Sequence, residues 1–246
     1  MKMIAIVPAR YASTRLPGKP LKIINDKPMI QWVYEAVKES CVFDEVIVAT
    51  DDQRIVECVE AFNGKVIMTK STHISGTDRV AEVAYKYKDV DIVANIQGDQ
   101  PFITKEIIHA LVLPFKNKNL VDMTTVACPL KEEDYSNPNV VKVLCNKKGE
   151  AIYFSRSPIP YYREKVQAPV FAHLGVYAFR RDFLLEYAKM DATALEKCEG
   201  LEQLRVLENG YKINVTVTKN SIMEINTYED LERAKKMLVG EFYEKR

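Results

Sequence analysis

The sequence predicts an α/β fold: a single-domain, doubly wound, mostly parallel (mixed) sheet, with a smaller antiparallel portion in its second half. Two observations lead to this prediction. Short apolar runs of strand length alternate with segments of helical period in the first half, and partly alternating, strand-like segments follow in the second. With 246 residues the chain is long enough for one large α/β domain or two small ones, and we expect one domain over 1–246.

The first half of the chain alternates predicted strands with predicted helices. Its strands are continuous apolar runs, which is typical of parallel strands buried on both faces. Predicted strands cover 4–7, 45–50, 65–68 and 91–96, and predicted helices cover 28–39, 54–62 and 76–87. Since helical crossovers return the chain beside the preceding strand, this order predicts a doubly wound, mostly parallel sheet.

The second half has a different pattern, in which strand-like segments partly alternate apolar and polar residues. Predicted strands cover 123–128, 140–145, 151–155, 171–179 and 212–217, and predicted helices cover about 180–190, 200–208 and a terminal stretch from Thr227. Prolines keep the loop 157–162 extended. No repeat, linker or low-complexity stretch divides the chain.

Charge and hydropathy exclude several classes of protein. Lys and Arg number 35 against 34 Asp and Glu, a net charge of +1, so nothing indicates a nucleic-acid or membrane surface. The chain has no run of about 18 apolar residues, and its N-terminal apolar segment meets Pro8 and Arg10 too soon for a signal peptide. We therefore expect a cytoplasmic protein, in which locally placed cations hold any anionic ligand.

A basic loop over 8–20 follows the first predicted strand, at the sheet edge where ligands bind in open α/β folds. Three cations stand within ten of its residues: Arg10, Arg15 and Lys19. Backbone N–H groups, the Ser13 hydroxyl and these cations could wrap a triphosphate, although the loop is neither a P-loop nor a dinucleotide-binding turn. The alternative is a solvated basic loop, for which apolar Leu16 and Pro17 would be poor choices.

Two further segments carry candidate site residues. Gln97 and Asp99 follow the strand at 91–96, where a carboxylate facing phosphates suits Mg²⁺; the alternative is an ordinary turn in which Asp99 caps a helix. The segment S-G-T-D-R at 75–79 resembles a helix start, with Ser75 or Thr77 as the cap. Its arginine could add a cation to the pocket or lie on the surface.

The motifs together resemble the 3-deoxy-manno-octulosonate (Kdo) cytidylyltransferases, or CMP-Kdo synthetases, of the nucleotide-sugar pyrophosphorylase type, from about residue 3 to 238. The matching segments are P-A-R-Y-A-S-T-R-L-P-G-K-P, K-P-M-I-Q, V-A-T-D-D, M-T-K, S-G-T-D-R, Q-G-D-x-P, A-I-Y-F-S-R-S-P-I-P, H-L-G-V-Y-A-F and L-E-Q-L-R. Each motif alone is weakly specific, but their common order over the whole chain is very specific.

The resemblance implies the substrates and the residues that bind them. It implies a CTP site at Ala9, Arg10, Ser13, Arg15, Lys19, Ser75, Gly76, Arg79 and Gln97, and a sugar-acid site at Gln97, Arg156, His173, Tyr177, Glu202 and Gln203. It implies catalytic roles for Arg10, Lys19 and Asp99, with Mg²⁺ as the cofactor. The nucleotide-binding half would span about 1–120, and the half for sugar binding and homodimer formation about 121–246.

Two positions depart from the family pattern. Gln100 stands where the family usually has Glu, and Asn226 stands where it usually has a second metal-binding Asp, so that Glu224 is a possible substitute. Gln100 also resembles a subgroup that acts on the 8-amino analogue of Kdo. Two more alternatives stay open: cytidylyl transfer to a phosphonate or other small acid, and a nucleotide-binding protein without catalysis.

Overall fold

The computed structural model describes residues 1–13, 15–117, 121–164 and 168–244. The first elements are β1 (Met3–Ala9), β2 (Ile23–Ile24), β3 (Lys27–Pro28), α1 (Met29–Glu39), β4 (Glu45–Thr50), α2 (Gln53–Ala61), β5 (Val66–Met68), α3 (Gly76–Lys86) and β6 (Ile92–Asn95). They are followed by α4 (Lys105–Asn117), β7 (Met123–Pro129), β8 (Lys142–Cys145), β9 (Ala151–Ser155), β10 (Phe171–Arg180), α5 (Arg181–Tyr187), α6 (Ala194–Glu199), α7 (Leu204–Glu208), β11 (Ile213–Val217) and α8 (Tyr228–Glu244).

The predicted strands and helices are confirmed, most of them to within two residues at each end. The pattern does not predict α4, which contains Pro114, or α6, which is only six residues long. The helix predicted over 200–208 begins only at Leu204, because Gly200 has a positive φ of 62° and ends α6. The short β2–β3 hairpin is also absent from the prediction.

The chain divides into two compact units, of which the first contains Met1–Lys105 and the chain from Ile222 onward. Its strands lie in the order β6-β1-β4-β5, and all neighbours are parallel. The chain runs outward from β1 through β4 to β5 and then returns to the other side of β1 as β6. The carboxyl ends of β1 and β6 therefore flank the point where the strand order reverses, which is where such sheets bind ligands.

The second unit, Glu106–Ser221, has its strands in the order β11-β7-β10-β8-β9. β11 and β7 are parallel, and the other neighbours are antiparallel. Among the described strands β9 pairs with β8 alone. The predicted fold class, mostly parallel with a smaller antiparallel portion, is confirmed.

The two units do not follow the halves expected from the sequence, since α8 belongs to the first unit although it lies beyond residue 120. The single domain over 1–246 stays a prediction. Within the described residues, no helix is both long and apolar enough to span a membrane.

Candidate active site

A pocket of about 340 Å³ opens in the first unit at the carboxyl ends of β1 and β6. It is lined by Pro8, Ala9, Arg10, Ala12, Ser13, Arg15, Lys19, Pro20, Gln97, Gly98 and Asp99. The basic loop and the Gln97–Asp99 segment thus share one pocket, at the place that the strand order indicates. Thr14, which belongs to the predicted loop, lies outside the described residues.

The loop that lines this pocket is closed at its base and anchored in the core. Gly18, with a positive φ of 67°, donates its N–H to the carbonyl of Tyr11 over 3.1 Å. Leu16 is fully buried and packs in a cluster with Ile24 and Met29. The alternative of a freely solvated loop is therefore wrong.

One ion pair organises the polar side of the pocket. Lys19 Nζ donates to Asp99 Oδ2 over 2.7 Å and to Asn226 Oδ1 over 3.1 Å. Arg15 Nη2 approaches the same amide oxygen at 3.4 Å. Two of the predicted cations thus contact the two residues that the resemblance implies as metal ligands.

Asn226 reaches this position because the chain before α8 is tied on both sides. Ile225 donates its N–H to the carbonyl of Asp99 over 3.0 Å and is itself fully buried. Asn226 and Thr227 donate their N–H groups to Asp230 Oδ2, which returns from the first turn of α8. Position 226 therefore stands beside Asp99, although the two are far apart in sequence.

The two departures from the family pattern meet at Glu224. Gln100 Nε2 donates to Glu224 Oε1 over 3.3 Å, and Asn226 Nδ2 donates to Glu224 Oε2 over 3.2 Å. The pKa of Glu224 is raised from its ordinary value, first because protein atoms withdraw its carboxyl from water and second because Asp99 is negatively charged. Glu224 therefore belongs to the same hydrogen-bonded network as Asn226, although the residue as a whole is exposed.

Close backbone approach explains Gly98 but not Gly76, whose added Cβ would make only ordinary contacts. A Cβ on Gly98 would lie 2.9 Å from the carbonyl oxygen of Pro8, which is too close for any side chain. Gly76 begins α3 beside Pro8 and Gln97, at 3.4 and 3.7 Å from where its Cβ would stand. Ser75 caps that helix in a reciprocal box with Asp78, so the cap is Ser75 and not Thr77.

Arg79 is in a different environment from the other predicted CTP ligands. Its side chain is fully buried, and it donates to Asp51 Oδ2 over 2.9 Å and to the Thr69 hydroxyl. The alternative of a surface arginine is therefore wrong. Its role in holding CTP stays a prediction.

The second unit assembles four of the predicted sugar-acid residues from two segments. Tyr177 donates its hydroxyl to Gln203 Oε1 over 3.0 Å, and both side chains are buried. His173 Nε2 lies 2.9 Å from the Thr125 hydroxyl, and its ring is 5.4 Å from that of Tyr177. Burial lowers the pKa of His173 to about 3, so the imidazole is neutral at pH 7. Glu202, next to Gln203, accepts the Tyr187 hydroxyl on its carbonyl.

Arg156, the fifth predicted residue, lies directly after β9 and is bonded to the end of α6. Its Nε donates to the Glu199 carbonyl over 2.8 Å and its Nη1 to the Pro138 carbonyl over 3.0 Å. Three residues that contact the predicted ones carry no motif and are not predicted from the sequence: Glu199, Thr125 and Lys142.

A doubly wound sheet with a cation-lined pocket at its switch point defines a nucleotide-binding enzyme of the nucleotidyltransferase class. The family model described as Cytidylyltransferase matches residues 4–213. A 3-deoxy-manno-octulosonate cytidylyltransferase of Acaryochloris marina is 55% identical over 95% of this chain and 96% of its own length. The protein of that name from Fusobacterium nucleatum is 52% identical over 95% of both chains. The chain belongs to the 3-deoxy-manno-octulosonate cytidylyltransferase family.

Solved structures agree with this assignment. The structure of a CMP:2-keto-3-deoxy-manno-octonic acid synthetase complexed with CTP is 40% identical and covers 98% of this chain and 100% of that one, with a TM-score of 0.94. A cytidylyltransferase from Leptospira borgpetersenii is 18% identical over 97% of this chain and 87% of its own, with a TM-score of 0.66. The second likeness shows the fold alone.

Proposed function

We propose that this enzyme transfers CMP from CTP to 3-deoxy-manno-octulosonate and releases diphosphate. The observation that carries the proposal is the pocket of the first unit, where Arg10, Arg15 and Lys19 stand beside Asp99 in a chain of almost no net charge. The names of the most similar relatives and the CTP complex of a solved relative support it.

In the proposed reaction the anomeric hydroxyl of the sugar acid attacks the α-phosphate of CTP, and diphosphate leaves. No covalent enzyme intermediate is needed, so alignment and charge neutralisation are the tasks of the protein. Arg10, Arg15 and Lys19 would offset the charge that develops on the phosphates. With a pKa of about 3, His173 is too weak a base to accept the hydroxyl proton and would orient the sugar by hydrogen bonding.

The side chains near Asp99 fit Mg²⁺ as the cofactor. The oxygen atoms that could ligate the metal are those of the Asp99 and Glu224 carboxylates and of the Asn226 amide. Hydrogen bonds through Lys19 and Asn226 link these side chains. Hard oxygen donors in small number suit Mg²⁺, which completes its shell with phosphate oxygens and water. Among the described residues no group of three His, Cys, Asp or Glu side chains could hold a metal ion, so nucleotide phosphates would supply the remaining ligands. Bound Mg²⁺ would neutralise part of the triphosphate charge.

The acceptor and its use are the finer part of the proposal. We favour Kdo over its 8-amino analogue because the relatives are named for Kdo, although Gln100 resembles the subgroup that takes the analogue. The product would supply an activated sugar for lipopolysaccharide or capsule. The comparisons favour neither transfer to a phosphonate nor a protein without catalysis.

A coupled assay of diphosphate release tests the proposal. Initial rates are measured with CTP, UTP, ATP and GTP, each with Kdo, its 8-amino analogue and a small phosphonate, with and without Mg²⁺. We expect the highest rate with CTP, Kdo and Mg²⁺. Equal turnover of another nucleotide would contradict the CTP assignment, and CTP binding without diphosphate release from any acceptor would support the non-catalytic alternative.

We also propose that two copies form a C2 homodimer through the edge of the second unit. β9 pairs with β8 alone among the described strands. Ile152 on this strand is 58% accessible, and Tyr161 in the following loop is 90% accessible. Light scattering at micromolar concentration should give a dimer mass. Ile152→Asp should give the monomer mass, whereas Ile74→Asp, which changes a still more exposed isoleucine in the first unit, should not. A monomeric native protein would contradict the proposal.

A further inference from the structure

A fully buried lysine stands in the second unit with carbonyl oxygens as its partners. Lys142 lies on β8 with no exposed surface, and its Nζ donates to the carbonyls of Asn137 and Val140, each over 2.9 Å, and of Arg156 over 2.6 Å. Burial lowers its pKa from the ordinary value. Because a buried ammonium is unfavourable unless its donors are satisfied, this arrangement needs all three carbonyls in place.

Glu199 also binds Arg156, whose carbonyl is one of the three partners of Lys142. Its carboxylate accepts the Ser155 hydroxyl over 2.6 Å and the Arg156 N–H over 2.9 Å. Burial alone would raise the pKa of Glu199, but these hydrogen bonds outweigh it and lower the pKa. The Glu199 carbonyl then accepts Arg156 Nε over 2.8 Å.

Arg156 is thereby fixed at its backbone N–H, at its carbonyl and at two guanidinium nitrogens. Lys142 binds its carbonyl, Glu199 binds its N–H and Nε, and Pro138 binds its Nη1. Within the described residues its Nη2 has no hydrogen-bond partner. A guanidinium that is pre-oriented in this way and keeps one donor nitrogen can bind an anion with little loss of side-chain entropy.

We propose that Lys142 and Glu199 are positioning residues that hold the Arg156 guanidinium ready for the carboxylate of the sugar acid. The inference rests on the proposed function, in which Arg156 belongs to the acceptor site. The side chains of Lys142 and Glu199 fix the backbone of Arg156, and the carbonyls of Glu199 and Pro138 bind its Nε and Nη1. The two side chains therefore act on the guanidinium by holding the backbone in the place where those carbonyls can reach it.

Steady-state kinetics of five variants test the proposal. Lys142→Met and Glu199→Gln should raise the acceptor KM about tenfold or more, as expected for a weakened bond to a charged group, and leave the CTP KM within about twofold. Combining Lys142→Met with Arg156→Ala should add nothing to the effect of Arg156→Ala alone, since both act through one side chain. Thr124→Val, which removes a buried 2.7 Å bond to the Leu111 carbonyl in the same unit, should lower the melting temperature without changing either KM.

Exchange of the Arg156 Nε–H proton, followed by NMR, separates the inference from the function on which it rests. We expect slow exchange in the native protein and faster exchange in Glu199→Gln. This variant tests the proposal even if Lys142→Met does not fold. Unchanged exchange, or acceptor and CTP KM values that rise together, would overturn the positioning role. Faster exchange with an unchanged acceptor KM would instead show that Arg156 does not bind the acceptor.

Discussion

The pocket of the first unit and the predicted sugar-acid cluster of the second offer their ligands different physical environments. The pocket is open and carries long cationic side chains, Arg10, Arg15 and Lys19. The cluster is closed and mostly neutral, with Tyr177 at 5% and Gln203 at 2% exposure. Triphosphate charge can be matched by cations on long side chains, whereas neutral sugar hydroxyls require dipoles held in place.

Because of this difference, we expect the first unit to control the turnover rate and the second unit to control selectivity for the acceptor. In the proposed function the first unit would meet the charge that builds up during phosphoryl transfer, so substitutions there should lower kcat. A buried hydrogen bond loses its value when one partner is missing, so substitutions in the second unit should act on the acceptor KM. Four predictions test this comparison.

The largest effect is expected at Asp99. Asp99→Asn keeps the shape but removes the charge that opposes Lys19, and turnover should fall by about 10²- to 10³-fold while CTP still binds. Diphosphate release and calorimetric CTP binding measure the two quantities. Asp89→Asn, at an exposed pair with Lys2 of similar length, is the control and should change neither. A near-native rate of Asp99→Asn at saturating Mg²⁺ would remove Asp99 from the mechanism.

A smaller and more selective effect is expected at Tyr177. Tyr177→Phe removes the hydroxyl that donates to Gln203, and the acceptor kcat/KM should fall about 10- to 100-fold with the CTP KM nearly unchanged. Tyr211→Phe removes a hydroxyl bonded to Glu186 on the exposed side of the same unit and should leave both constants unchanged. If the KM values for the acceptor and for CTP rose together in Tyr177→Phe, the second unit would not act on the acceptor alone.

The pH dependence of stability should report on the closed environment of His173. Since its folded pKa of about 3 lies below the ordinary 6.5, its contribution is fully present above pH 6.5 and is lost as the pH falls toward 3. The native protein should therefore lose up to about 1.4 kcal/mol per pH unit more than His173→Gln between pH 6 and 5. Urea unfolding of both proteins measures this difference, and parallel profiles would show that the imidazole is accessible to water.

The smallest effect is expected at position 226. Asn226→Asp adds a carboxylate beside Asp99 and should lower the Mg²⁺ concentration for half-maximal rate a few-fold. Glu224→Gln should raise it if Glu224 already serves as the second carboxylate. Mg²⁺ titrations of both variants against the native enzyme decide between the two positions, and no shift in either would place the metal away from this network.

The order of elements follows from local patterns, and the sequence therefore predicted it well. Apolar runs and helical periodicity are properties of neighbouring residues, and the loop 8–20 carries its cations in one continuous stretch. Leu16 is a case in which composition already indicated that the loop is anchored, and its burial confirms it. The site residues of the second unit were available only through the family resemblance, because they are scattered among apolar strands.

By itself the sequence determined the fold class, the family and the position of the basic loop, since each strand, helix, motif and loop consists of consecutive residues whose order the chain records. Only the tertiary structure decided that Gln100 and Asn226 both donate to Glu224, and that Arg79 is buried against Asp51. The tertiary structure likewise decided that Lys142 and Glu199 both bind Arg156. Such contacts join residues far apart in sequence, and no local preference records them, because it is the packing of whole strands and helices that brings the partners within hydrogen-bonding distance.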